Sequence, residues 1–116
     1  MEKEPIERFL KTGEARKAVE KFLRNPYWEE AYRTAPTESS RTLMALMFCW
    51  SFAAIYDTER YAGGDVFGFD PGKLFQMANA LEAEFTVEDW KHQLRYSGNT
   101  PRRTMIRNKI RELGGE

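Results

Sequence analysis

The chain has 116 residues and a mass of 13.6 kDa, which is room for one domain, since single domains usually run about 100 to 150 residues, and it excludes a large multi-domain enzyme. Hydrophobic residues make up 41% and charged residues 31%, with three Trp, five Tyr and eight Phe. That composition supplies a core and excludes disorder over most of the length. The formal net charge is zero, yet residues 1–90 carry 11 Lys/Arg against 16 Asp/Glu, whereas residues 91–111 carry seven cations and no anion.

Every strong punctuation mark is a helix start or stop, and no segment alternates long enough to be a strand, so the expected fold is all-α. About six helices are predicted. From about Glu4 to Leu23 the apolar positions Ile6, Phe9, Leu10, Ala15, Ala18, Val19, Phe22 and Leu23 recur at spacings of three and four, an amphipathic stripe with a break at Thr12-Gly13. Asn25-Pro26 gives a cap followed by proline at the first helical position, opening a short helix to about Thr34 that Ala35-Pro36 ends. Thr37 or Ser39 caps the longest helix, predicted to reach about Tyr61. Its centre, Leu43 to Tyr56, has only Ser51 as a clearly polar residue. This run is too short for a bilayer, which needs about twenty residues. It reads as a central helix covered by the others, with any surplus apolar surface available for a homodimer contact.

Residues 62–72 hold four glycines and a proline and form the principal loop. Asp70-Pro71 starts a helix of about fourteen residues whose expected buried face is Leu74, Phe75, Ala78, Leu81 and Phe85. Thr86 with Asp89 forms a capping box for a helix burying Val87, Trp90 and Leu94. Gly98 is expected to stop that helix at positive φ, Thr100-Pro101 to repeat the cap-plus-proline signal, and Gly114 to end the last helix after Ile106, Ile110 and Leu113. The whole is one helical domain, 1–116, with N-terminal helices over 1–62, the loop over 63–72, and C-terminal helices over 73–116.

No site of catalytic or metal chemistry emerges. Gly68 to Lys73 fails as a phosphate loop, having three residues between its glycines and Leu74 after the lysine. A calcium loop from Asp57 would need glycine at Ala62 and glutamate at Gly68. His92 is the only histidine, Cys49 the only thiol, and Cys49 reads as inert packing. Glu88 and His92 read as an ordinary surface pair, and Trp90 as a core anchor. The expectation is therefore a non-enzymatic protein with no cofactor. The single cysteine, and a first twenty residues with no apolar run, predict a cytoplasmic address without a leader.

The basic segment carries the functional expectation. On its last helix Thr104, Arg107, Asn108 and Arg111 are spaced i, i+3, i+4 and i+7, a face that supplies phosphate donors and the side chains that reach guanine and adenine edges. Arg102 and Arg103 add charge beside that helix's N-terminus, and Lys91 and Arg95 extend it onto the preceding helix. Residues 86–113 resemble the helix-turn-helix of bacterial regulators: Thr86, Asp89, Leu94 and Ser97 follow its first helix and turn, and Arg102-Arg103-Thr104 with Arg107 falls in the recognition helix. Lys91 stands where the motif favours a small residue and Arg95 where it favours glycine. The resemblance implies duplex DNA as partner. Two further readings stay open: a basic hairpin packed on the core by Trp90, Leu94, Ile106 and Ile110, and an interaction module that engages a protein or a second copy through the 43–56 helix or the aromatic loop 66–69.

Overall fold

A computed structural model describes residues 4–67 and 69–115. Thr12 divides the N-terminal stripe into α1 (Glu4–Leu10) and α2 (Gly13–Leu23): its hydroxyl donates to the Phe9 carbonyl at 2.8 Å, closing one helix, and accepts from Ala15 N at 3.3 Å, opening the next. Asn25 caps α3 (Pro26–Arg33) through Tyr27 N. Thr37, not Ser39, caps α4 (Glu38–Tyr56) in a box with Ser40. The long helix ends five residues earlier than expected, because Asp57 leaves the helical region at φ −129°; Asp, which favours caps over helix interiors, begins the short α5 (Thr58–Ala62) there. Three more helices follow: α6 (Pro71–Glu82), α7 (Val87–Tyr96) and α8 (Thr100–Glu112). The described residues thus hold eight helices and no strand, because two of the six expected helices are interrupted, one at Thr12 and one at Asp57.

The fold is all-α, with α4 at its centre. Leu43, Leu46, Cys49 and Ala53 join Ile6, Phe9, Leu74, Leu81, Trp90, Ile106 and Ile110 in one core, while Met44 and Phe48 pack with Ala31 in a second, smaller cluster under α3. Burial pushes the Cys49 thiol up to about 12, so it is an unreactive packing group. Among the described residues no helix is long and apolar enough to cross a membrane.

The aromatic loop is core, not surface. Val66 and Phe69 exchange both backbone hydrogen bonds, at 3.2 and 2.9 Å, making a tight turn that drives Phe67 inward against Phe9 and Phe52. Val66 is 1% and Phe67 7% exposed, so these two side chains face the core, and Phe69 is half-buried. Phe67 takes φ +54°, a left-handed conformation that costs a bulky residue about 1–2 kcal/mol, and burial of the ring offsets it.

Candidate functional site

The α7–α8 hairpin begins with Asp89. Its carboxylate accepts from Thr86 N (2.9 Å) and Thr86 Oγ1 (3.0 Å), completing the expected box, and from Thr37 Oγ1 (2.9 Å), the residue that caps α4. One fully buried acid thus fixes the starts of two helices and locks the hairpin to the central helix. Burial alone would raise its pKa; the hydrogen bonds from Thr86, Ser40 and Thr37 together outweigh that and hold it below the usual 3.8.

The hairpin turn differs from expectation in two places. Gly98 does not take positive φ; Ser97 simply leaves α7 in an extended conformation. The terminal carbonyls are satisfied instead by Arg103, whose guanidinium donates to Leu94 O and, at 2.8 Å, to Ser97 O. The cap of α8 is Asn99, one residue before the predicted Thr100, and it accepts from Arg102 N at 3.0 Å. At the far end Gly115 closes on Val87 so tightly that a Cβ there would meet Val87 Cγ1 at 2.5 Å. Residue 115 therefore lies against residue 87, so the chain after α8 returns to the start of α7.

The eight residues expected to bind nucleic acid fall into three groups. Thr104, Arg107, Asn108 and Arg111 lie exposed on the outer face of α8, as their spacing requires, with Arg111 donating to Asn108 Oδ1 at 3.4 Å. Lys91 and Arg95 are exposed on α7, Lys91 within 4.0 Å of Glu88. Arg102 and Arg103 turn inward: Arg102 pairs with Glu82 at 3.0 Å and donates to Gln93 Oε1 at 3.3 Å, joining α6, α7 and α8. Lys109 pairs with Glu112 at 3.6 Å. Arg95, Arg103, Arg107 and Arg111 have no carboxylate partner among the described residues, and of these Arg103 is engaged by the Leu94 and Ser97 carbonyls.

His92 is not a surface group. It is 8% exposed, its Nε2 lies 2.8 Å from the Ala31 carbonyl, and its Nδ1 has no hydrogen-bond partner. Glu88 faces solvent with Lys91 instead. Trp90 is 3% exposed against Phe85, a core anchor.

A different feature stands open between α4, α6 and α8. Phe75, expected inside, is 61% exposed, and Met47 is 37% exposed; with half-buried Trp50, Ala78 and Met105 they line a surface groove of about 310 Å³ whose rim holds Asn79, Glu82 and Arg102. The Trp50 and Phe75 rings meet edge to face at 6.1 Å. The signal for Phe75 was available in the sequence. Leu74, Ala78 and Leu81 set the inner stripe of α6, whereas Phe75 shares its row with Asn79 and Glu82, both polar. Leu113, also expected inside, is 50% exposed because α8 ends at Glu112 and the chain turns through Gly114 at φ +74°.

A second hollow of about 260 Å³ between α1 and α4 is floored by Ile6, Leu10, Ala45 and Leu81 and edged by Glu7, Lys11 and Glu38. Among the described residues no group of three or more His, Cys, Asp or Glu is placed to hold a metal ion. No family model, curated protein or solved structure matches this chain.

Proposed function

We propose that this chain is a non-enzymatic, cytoplasmic interaction module that takes an amphipathic helix of a partner protein into the α4–α6–α8 groove. The supporting observation is the exposure of Phe75 beside Met47, a concentration of bulky apolar surface that small soluble proteins seldom leave to water without use. The walls are helices and the lining includes two methionines, whose flexible thioethers adapt to a partner's side chains. That is the chemistry of helix-in-groove recognition, with apolar anchors at i, i+3/4 and i+7. Selection of helical peptides on the wild-type protein, with Phe75→Lys as comparison, tests it. Selected peptides should lose at least about tenfold in affinity on the variant, an ordinary hot-spot effect, while its unfolding free energy changes by less than about 0.5 kcal/mol. Binders indifferent to Phe75→Lys would overturn the assignment, and a wild-type dimer abolished by that change would give the groove to a second copy.

The outer face of α8 supports a second reading, duplex DNA or another polyanion bound by Arg95, Arg107 and Arg111 with Thr104 and Asn108. Each of these side chains is exposed, and the three arginines lack carboxylate partners among the described residues. Three phosphate contacts predict a log K against log salt slope of about −2.7, at about −0.9 per contact. Arg107→Ala with Arg111→Ala should flatten that slope to about one contact and leave stability within about 0.5 kcal/mol. Arg102→Ala should do the reverse, weakening the fold by leaving Glu82 unpaired with little effect on binding. A flat salt response in the wild type removes this reading.

A further inference from the structure

The side chain of His92 joins α7 to α3, and its two ring nitrogens have opposite fortunes. Nε2 lies 2.8 Å from the Ala31 carbonyl, which can only accept, so in the neutral ring Nε2 carries the proton and Nδ1 is a bare lone pair, buried and without a partner. Protonation keeps the Nε2–H bond and creates a second donor at Nδ1 that faces nothing. Water must then enter or the ring must leave, and movement of α3, which holds the other ring nitrogen, would permit either.

The surroundings of the ring set how costly that proton is. From α7 it feels Asp89, which favours the charge, and Arg95, which opposes it, while the Tyr96 ring lies against it at 4.9 Å. From α3 it meets the Ala31 carbonyl in that helix's last turn, where partial negative charge favours a cation, and the Tyr96 ring beside it packs in turn on Tyr27 at 5.4 Å. Beneath α3, Met44 and Phe48 of α4 are neutral and pack with Ala31. Burial dominates: it lowers the His92 pKa below the usual 6.5, the Ala31 bond and Asp89 opposing it and Arg95 adding to it.

The element held in this way has two further anchors, the half-buried rings of Trp28 and Tyr32, which pack against Phe22 and Phe48. α3 has eight residues, one of them buried, and it is bounded by Asn25-Pro26 on one side and Ala35-Pro36 on the other. Short helices with few buried contacts open at the low end of the free-energy range.

We propose that His92 is a proton-operated latch that holds α3 against the α7–α8 hairpin when neutral and releases it when protonated, uncovering Met44 and Phe48. This goes beyond the docking reading and does not depend on it. The sign follows from linkage: the unfolded or opened state binds the proton more readily, so closure is complete above about pH 6.5 and weakens as pH falls below it. Because His92 is the only histidine, a transition of a side chain in this window belongs to it.

Amide hydrogen exchange of the full chain at pH 7 and pH 5, corrected for intrinsic rates, is the test. Protection within residues 29–34 should fall at pH 5 by up to about thirtyfold, the ceiling set by the roughly 1.5 units between 6.5 and the pH of measurement, while α2 and α6 hold theirs. His92→Gln, whose amide can donate to the same carbonyl without titrating, should keep α3 closed at both values. Should that variant fold poorly, NMR titration of the wild type decides: the α3 amides must move with the same midpoint as the single imidazole. Protection that is flat, that falls equally in His92→Gln, or that is lost from all helices together overturns the latch, as does a mismatch of midpoints.

Discussion

Replacing Asp89 by alanine is expected to remove about 3–5 kcal/mol of stability, the loss of two helix caps at about 1 kcal/mol each together with the penalty of buried donors left without an acceptor. Thr86 N, Thr86 Oγ1 and Thr37 Oγ1 all donate to this carboxylate, and no water reaches it. For a domain whose total is about 5–15 kcal/mol, that leaves the fold close to its limit. Urea unfolding checks it through a lowered midpoint at unchanged slope. Thr37→Ala alone should cost about 1–2 kcal/mol, and the double variant should cost less than the sum of the singles, since both act on one contact between α4 and α7. An additive cycle would mean that the two caps work independently. The acid response has a definite sign. The folded pKa of Asp89 lies below 3.8, so its contribution is complete above that value and fades as pH falls through the lowered one. Asp89→Asn should be less stable than wild type at neutral pH, and the gap should narrow in acid below pH 4.

Phe9→Ala is expected to cost a comparable 3–5 kcal/mol, the usual range for truncating a buried phenylalanine. Phe9 is fully buried and touches both rings of the aromatic turn, Phe69 edge to face at 4.8 Å and Phe67 at 6.4 Å. It holds α1 and the 63–70 loop to the core from one position. The loss should be felt locally as well as globally. Hydrogen exchange should rise first in α1 and at Val66 and Phe69, whose mutual backbone bonds depend on the turn staying seated. Uniform exchange across the protein, with no earlier opening of these two segments, would show that α1 and the turn do not depend on Phe9 in this way. Phe67→Gly is the instructive companion: it relieves the left-handed backbone but forfeits the buried ring, and the ring, worth about 1.5–3 kcal/mol by burial, should outweigh the relief.

Capping chemistry was legible because it is local. Thr12, Asn25, Thr37, Asp70 and Thr86 each stand within three residues of the N–H they satisfy, so their roles could be read from neighbours alone. The outward face of α8 was legible for the same reason: Thr104, Arg107, Asn108 and Arg111 follow from helical periodicity once Ile106 and Ile110 are placed inside. The fates of Arg102 and Arg103 were not. Both sit in the same basic run as Arg107, and only the approach of Glu82 from α6 and of the Leu94 carbonyl from α7 distinguishes structural arginines from free ones. His92 was misread in the same way, since its partner, the Ala31 carbonyl, lies 61 residues away and backbone acceptors leave no mark in a sequence.

The amino-acid order by itself determined the helical class, nearly every helix start, the central place of α4 and the inertness of Cys49, because each depends on contacts within a few residues or on a strongly apolar run. Only the packed structure decided that Val66 and Phe67 are buried, that Phe75 is not, that the chain after α8 returns to Val87, and that four of the seven clustered cations are paired or bonded to carbonyls. These depend on which distant surfaces meet: a helix with more apolar side chains than one stripe can hold must leave some outside, and its neighbours choose which.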